Sequence, residues 1–221
     1  MRFPGKMLSN LGGIALVEYV YMRCAQSMKS DGVVVLTSNE DSDNILAEYC
    51  KSKEIKVFRG KINDVLDRYI SCGIHYGYDT ICRVCGDSPF VDVCKIDEMF
   101  EMAEKYDYVS FENTIAGFLS EVVSLSCLQR VSQLTSNLND CEHVTLYIRE
   151  HSHEFLAKII DADLYDSSLE GINLTIDYPM DIELANQIID KGLKGFRFSS
   201  ANIVQILKQH INFHPYKRSK Q

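Results

Sequence analysis

Apolar positions along this chain switch repeatedly between two periods. A continuous β-branched run at 33–37 (VVVLT) predicts a buried strand. Residues 55–58, 80–85 (TICRVC), 107–111, 155–161 and 172–176 read as further strands. Between them apolar residues recur at helical spacing. The stretch 14–28 carries Val17, Val20, Tyr21, Cys24 and Met28, and 43–53 carries Ile45, Leu46 and Tyr49. Helices are likewise predicted over 63–76, 95–105, 125–134, 142–150, 181–191 and 200–211. Ser42 or Asp43, and Ser199 or Ser200, suit the N-cap positions of their helices. Gly12 and Gly13 suit a tight turn before the first helix.

Strand–helix alternation predicts a three-layer α/β/α arrangement, a mostly parallel mixed sheet with helices on both faces. The 221 residues fit one domain spanning 1–221, with 212–221 as a frayed, solvated tail. No repeat or low-complexity linker interrupts it. In such sheets ligands bind beyond the carboxyl ends of the strands, so chemistry is sought there.

Composition narrows the reading. Hydrophobic residues make up 46%, enough for a sizeable core, and the net charge is −8. A nucleic-acid binder draws its affinity from Lys and Arg set against phosphates, so this balance argues against one. A single nucleotide needs only a few placed cations and a metal. The eight cysteines show no disulfide framework. Cys82 and Cys85 have C-x-x-C spacing, but an offset of three along a strand puts the thiols on opposite faces, wrong for a shared zinc. No segment approaches the roughly 20 apolar residues of a membrane helix, and the start has no signal-peptide core. The expected compartment is the cytoplasm.

Two acidic residues follow predicted strands directly. Asp87 lies in CRVCGDSPFVD and Asp177 in INLTIDYPMD, each with a proline two positions on, Pro89 and Pro179. Proline stops strand pairing and turns the chain, which leaves both carboxylates at the ligand-binding edge. Mg²⁺ is held by one or two carboxylates, with phosphates and water completing its shell. The alternative is that each Asp only caps the next helix or turn. Asp92 and Asp181 are the better cap candidates. At the start, RFPGK places Arg2 and Lys6 around a Pro-Gly turn. Arg grips phosphate oxygens in bidentate fashion and Lys supplies a mobile charge. An exposed basic turn is the alternative, and the spacing is not that of a Walker A loop.

In this order the motifs resemble the cytidylyltransferase family of the spore coat polysaccharide biosynthesis protein F group, related to CMP-sialic acid and CMP-KDO synthetases. The residues that carry the resemblance begin with Arg2, Pro4, Gly5, Lys6, Leu8, Gly12–Gly13 and Thr37–Ser38. They continue through Phe58-Arg59-Gly60 and Asp64-Val65-Leu66-Asp67-Arg68-Tyr69. Arg83-Val84-Cys85-Gly86-Asp87-Ser88-Pro89 with Asp92, Glu142-His143-Val144-Thr145, and Asp177, Pro179 and Asp181 complete the set. The resemblance implies a Rossmann-like, glycosyltransferase-A-type nucleotidyltransferase fold. It implies transfer of CMP from CTP to a sugar acid or related sugar, with release of pyrophosphate, in surface polysaccharide biosynthesis. Arg2 and Lys6 would meet the CTP phosphates as catalytic cations, and Asp87 and Asp177 would hold Mg²⁺. Thr37 and Ser38 would lie near base and ribose, Arg83 would contact the nucleotide, and Arg59 and Arg68 would contact the substrate. A homodimer is implied as well.

Two departures accompany the resemblance. Relatives begin with an apolar, central strand and a small-residue loop ending in R-x-P-G-K, whereas Met1 falls inside that loop here. Either the chain is shortened at its start or the domain has lost that strand, and a missing central strand would expose two strand edges and a large apolar gap. Cys141 stands where the family has Arg before E-H-V-T. The alternatives are a non-catalytic cytidylyltransferase-like binding protein, or a same-fold enzyme using another nucleotide or a phosphonate acceptor.

Overall fold

Glycine geometry shapes the start of the chain. In the computed structural model, which describes residues 3, 5–118, 120–162, 167–193 and 195–210, a 3-10 turn (Lys6–Leu8) follows Gly5 at φ 72. Strands β1 (Asn10–Leu11) and β2 (Ile14–Ala15) pair antiparallel across Gly12 and Gly13, whose φ values are 59 and 91. A two-residue hairpin needs both central residues in the left-handed region, and glycine enters it without steric cost. This hairpin occupies the first positions of the helix predicted over 14–28. Helix α1 runs Leu16–Cys24 and buries Leu16, Val17, Tyr19 and Val20.

The alternating pattern then unfolds as β3 (Val35–Ser38), α2 (Asn44–Ser52), β4 (Val57–Gly60), α3 (Val65–Tyr76), β5 (Thr80–Arg83) and α4 (Val93–Ala103). After it come β6 (Tyr108–Glu112), β7 (Glu121–Ser124), α5 (Leu125–Leu134), α6 (Leu138–His143), α7 (Leu146–Glu150), β8 (Ala157–Asp161), α8 (Pro179–Asp190) and α9 (Ser200–His210). Caps fix several starts. Asp64 accepts from the Asp67 N–H at 2.9 Å, and Ser124 accepts from the Cys127 N–H at 3.2 Å. Pro179 opens α8, where its missing N–H leaves nothing unpaired.

Three readings of the sequence are corrected. Strand β7 was not predicted: it is four residues long and runs straight into α5. It lies antiparallel to both β5 and β6, so the sheet is less parallel than expected. The segment 172–176 is extended but meets its neighbours through one bridge, Asn173 to Ala116, rather than as a strand. The helix expected over 142–150 is two, broken at Val144, whose φ of 57 no continuous helix allows.

The strands form two larger sheets, β3–β4 parallel and β5–β7–β6–β8 mixed. The second is covered on both faces. Tyr108, Val123 and Ile81 pack under α3, α5 and α7, while Val109, Phe111, Val122 and Cys82 pack under α4. Alternate residues of each strand serve opposite layers, as pleating dictates. The far edges of β3 and β5 pair with no strand among the described residues. Helices bridge the two sheets instead. Helix α1 sends Val17 to a cluster with Val35 and Val57, and Cys24 to the one holding Cys82 and Val84. On the other face Gly73 of α3 sits so near β5 and α5 that an added Cβ would lie 3.3 Å from Ile81 and 2.9 Å from Leu125. No helix among the described residues is long and apolar enough to cross a membrane.

Candidate active site at the strand ends

Beyond β5 the chain turns through 84–90 and presents Asp87. Asp177 reaches the same place on the extended segment 172–177. The two segments are tied by the Ile176 N–H donating to the Asp87 carbonyl at 2.8 Å, and the second is held to the stretch after β6 by the Leu174 N–H donating to the Ala116 carbonyl at 2.8 Å. Gly117, at φ +102, permits this approach: a Cβ there would lie 2.7 Å from the Leu174 carbonyl carbon. At the other side of the site the Phe3 N–H donates to the Asp177 carbonyl at 3.2 Å, and Met7 lies against Gly86.

That docking aims Lys6 between the two carboxylates. Its Nζ stands 2.7 Å from Asp87 Oδ2, 3.3 Å from Asp177 Oδ1 and 2.7 Å from the Ile176 carbonyl. Thr175 Oγ1 lies 3.0 Å from Asp177 Oδ2. Two acids on separate segments therefore converge on Lys6, and these three side chains together carry a net formal charge of −1. The residues fit a divalent ion. Both carboxylates supply hard oxygen donors, and side-chain exposures of 27% and 35% leave room for phosphate oxygens and water. No group of three or more His, Cys, Asp or Glu is assembled among the described residues, so such an ion would draw on the substrate for further ligands.

The cap candidates do cap. Asp92 Oδ1 accepts from the Cys94 and Lys95 N–H groups, and its Oδ2 accepts from the Ser200 N–H and hydroxyl. One buried carboxylate thus starts both α4 and α9. Asp181 Oδ2 accepts from the Asp177 and Tyr178 N–H groups, which orients the backbone that carries Asp177.

The remaining predicted site residues are distributed around this centre. Arg2 lies outside the described residues, as does the predicted tail. Thr37 and Ser38 end β3, and both hydroxyls donate to Asp43 Oδ2, at 2.7 and 2.6 Å. Burial raises the Asp43 pKa, but the Ser38 and Thr37 hydrogen bonds outweigh it and hold the carboxyl below its usual range. Arg59 donates to the Ser38 and Glu40 carbonyls and to Asn44 Oδ1, so its guanidinium holds the loop after β3. Arg68 is buried, crosses Gly60 and donates to the Lys61 carbonyl at 2.5 Å, while its Nε has no hydrogen-bond partner among the described residues. An open cleft of roughly 730 Å³ adjoins these loops, lined by Asn39, Lys61, Asp64, Thr135 and Cys141 among others. It does not reach Lys6, Asp87 or Asp177. The converging charges, rather than the volume, single out Lys6, Asp87 and Asp177 as the candidate site.

Arg83 ends β5 and pairs with Glu121 at 2.9 Å. The same carboxylate takes Tyr108, Thr145 and Arg149, a cluster only partly visible in the sequence: Thr145 lies in a quoted motif, while Glu121 lies in the strand that was missed. Cys85 lies beyond the strand, in the turn, whereas Cys82 packs under α4. Burial raises the Cys85 pKa, with Arg83 lowering it, Asp87 and Glu121 raising it and Lys6 lowering it. The net effect keeps it a thiol, a poor nucleophile.

The chain is 31% identical over 219 residues to the spore coat polysaccharide biosynthesis protein SpsF of Bacillus subtilis, covering 95% of this chain and 90% of that one. The structure superposes on that of a cytidylyltransferase from Leptospira borgpetersenii with a TM-score of 0.88 at 25% identity, covering 100% of this chain and 93% of the other. A CMP-KDO synthetase complexed with CTP shares the fold at a TM-score of 0.65 and 13% identity, over 87% of this chain and 94% of that one. The sequence itself matches the cytidylyltransferase family across residues 1–209, from before the lysine that joins the two carboxylates to the last described helix, and the protein belongs to that family of enzymes.

Proposed function

We propose that the protein transfers CMP from CTP to a hydroxyl of a sugar acid or related sugar, in the cytoplasm, as a step in surface polysaccharide biosynthesis. The observation that carries this reading is the convergence of Lys6, Asp87 and Asp177 at one sheet edge of a cytidylyltransferase. The sugar hydroxyl attacks the α-phosphorus in line. A new P–O bond forms as the hydroxyl gives up its proton to solvent, the bond to the bridging oxygen of the β-phosphate breaks with its electron pair, and pyrophosphate leaves. The protein positions the reactants and neutralises developing charge. Asp87 and Asp177 would hold Mg²⁺, which when bound supplies charge neutralisation and a template for the phosphates. Lys6 offers a mobile positive charge to the departing pyrophosphate, with Arg2 beside it in the sequence. Arg83 offers planar N–H donors to the nucleotide. Thr37 and Ser38 lie toward base and ribose, and Arg59 and Arg68 act on the substrate through the loops they hold.

A binding protein of the same fold is the second reading, favoured by the division of the strands into two separate sheets. Thermal unfolding with each nucleoside triphosphate separates the two. A ligand that binds only the folded state stabilises it by mass action, about 2.7 kcal/mol at one hundred times Kd. CTP with Mg²⁺ is expected to raise Tm more than ATP, GTP or UTP. Equal shifts remove the cytosine assignment. CTP binding without pyrophosphate release, across a panel of sugar acids, supports the second reading.

A further inference from the structure

Glu121 opens β7, directly opposite Arg83 on β5 and Ser110 on β6. Its side chain is 12% exposed. Oε2 accepts from Arg83 Nη1 at 2.9 Å and from Thr145 Oγ1 at 2.8 Å. Oε1 accepts from the Tyr108 hydroxyl at 2.5 Å and pairs with Arg149 Nε at 3.8 Å. A carboxylate this buried is costly unless its lone pairs are filled, and here four partners fill them, from β5, β6 and α7 with its N-cap Thr145. Tyr108 stays a donor, because burial first, and Glu121 next, push its phenol far above the usual range. With its oxygens committed and a guanidinium on each, Glu121 is unsuited to take a proton from a substrate.

What the cluster can do is aim Arg83. Only Nη1 of that guanidinium has a hydrogen-bond partner among the described residues. The Arg83 side chain is 22% exposed, so it is not sealed in the core. Arg83 is the last residue of β5, four positions before Asp87, so the clamped side chain stands at the strand end from which the acid-bearing turn leaves. A guanidinium anchored by one nitrogen cannot rotate freely, and its remaining edge keeps one direction.

We propose that Glu121 is a positioning residue: with Tyr108 and Thr145 it clamps Arg83 so that the free guanidinium edge faces the phosphates of the nucleotide. The inference rests on the CTP-binding reading of the site. Glu121 acts through Arg83 and touches no substrate. A purely structural ion pair would tie β5, β6, β7 and α7 together without affecting ligand affinity in the folded protein.

The test is a double-mutant cycle of E121Q and R83Q, read by calorimetry of CTP with Mg²⁺ and by carbon-detected NMR of arginine side chains. A clamped guanidinium gives two resolved Nη signals, and a rotating one gives a single averaged signal. The wild type is expected to show resolved Arg83 signals that merge in E121Q. CTP binding should weaken about tenfold in E121Q, as for loss of a charge-assisted contact. R83Q should weaken it at least as much, and the double variant should lose no more than R83Q alone. Additive losses, or a lowered Tm with unchanged Kd, would overturn the proposal. If E121Q does not fold, Y108F and T145V each remove one prop of the carboxylate and run the same cycle. A wild type that binds no CTP sinks the nucleotide reading instead. The spectra then decide the clamp alone, and averaged Arg83 signals in the wild type overturn it.

Discussion

Replacing Asp87 by Asn tests the site most directly, because it removes one charge and almost no volume. Lys6 loses its 2.7 Å ion pair but keeps Asp177 at 3.3 Å and the Ile176 carbonyl at 2.7 Å. With the three side chains 24%, 27% and 35% exposed, solvent screens that pair, and its loss should cost stability about 1 kcal/mol or less. Ligand binding is another matter. Two unit charges 4 Å apart interact by about 4 kcal/mol near a protein surface and about 1 kcal/mol in bulk water. A divalent ion doubles the charge product, and partial exposure pulls the value down, so roughly 3–4 kcal/mol is at stake. That is about two to three decades in metal-dependent CTP affinity. The assay is pyrophosphate release over a Mg²⁺ titration for wild type, D87N and D177N, with Tm recorded for each. Near-native Tm with a Mg²⁺ requirement raised at least about a hundredfold is expected. A D87N protein whose Mg²⁺ half-saturation stays within about threefold of wild type refutes the metal role of this carboxylate.

Other expectations follow from single positions. G117A forces a Cβ to 2.7 Å from the Leu174 backbone at φ +102, so it should displace the segment that carries Asp177. Activity should fall by more than tenfold, roughly, together with Tm; an active G117A would show that this close approach does not set the site. R23M removes a fully buried guanidinium that donates to the Val91, Phe196 and Phe198 carbonyls, leaving three acceptors unpaired. Urea unfolding should show a loss of about 3–6 kcal/mol, and a loss below about 1 kcal/mol would refute the accounting. Asp43 has a folded pKa below its ordinary value, because hydrogen bonds from Ser38 and Thr37 outweigh burial. Its contribution is present above the unfolded value of about 3.9 and is lost as pH falls through the folded one. Wild-type Tm should therefore drop more steeply than that of D43N in this acid range, and parallel curves would remove Asp43 from the account.

Much of the molecule was written locally in the chain. Helical spacing and β-branched runs placed β3, β4, β5, β6, β8 and most of the helices, because burial of one face or one run follows from periodicity alone. The motif order carried the family, and the prolines after Asp87 and Asp177 brought both acids to one edge. Caps at Asp92 and Asp181 were legible for the same reason, since a side chain that serves its own next turn needs no distant partner.

Tertiary structure decided what depends on pairing across long separations. The residues EVVS become β7 because β5 and β6 flank them, and no period can emerge from four positions that lead straight into a helix. Residues 172–176 have strand-like composition, yet among the described residues they form one bridge to Ala116 and a single hydrogen bond from Ile176 to Asp87 rather than a ladder. The Arg59 guanidinium is turned onto its own neighbouring loop and Arg83 onto Glu121, choices that lie among partners 15 to 38 residues away. The sequence thus determined which residue types reach the strand ends. The packed fold decided which of them share a charge, because convergence of Lys6 with Asp87 and Asp177 spans sequence separations of 81 and 171 residues that only a folded chain can close.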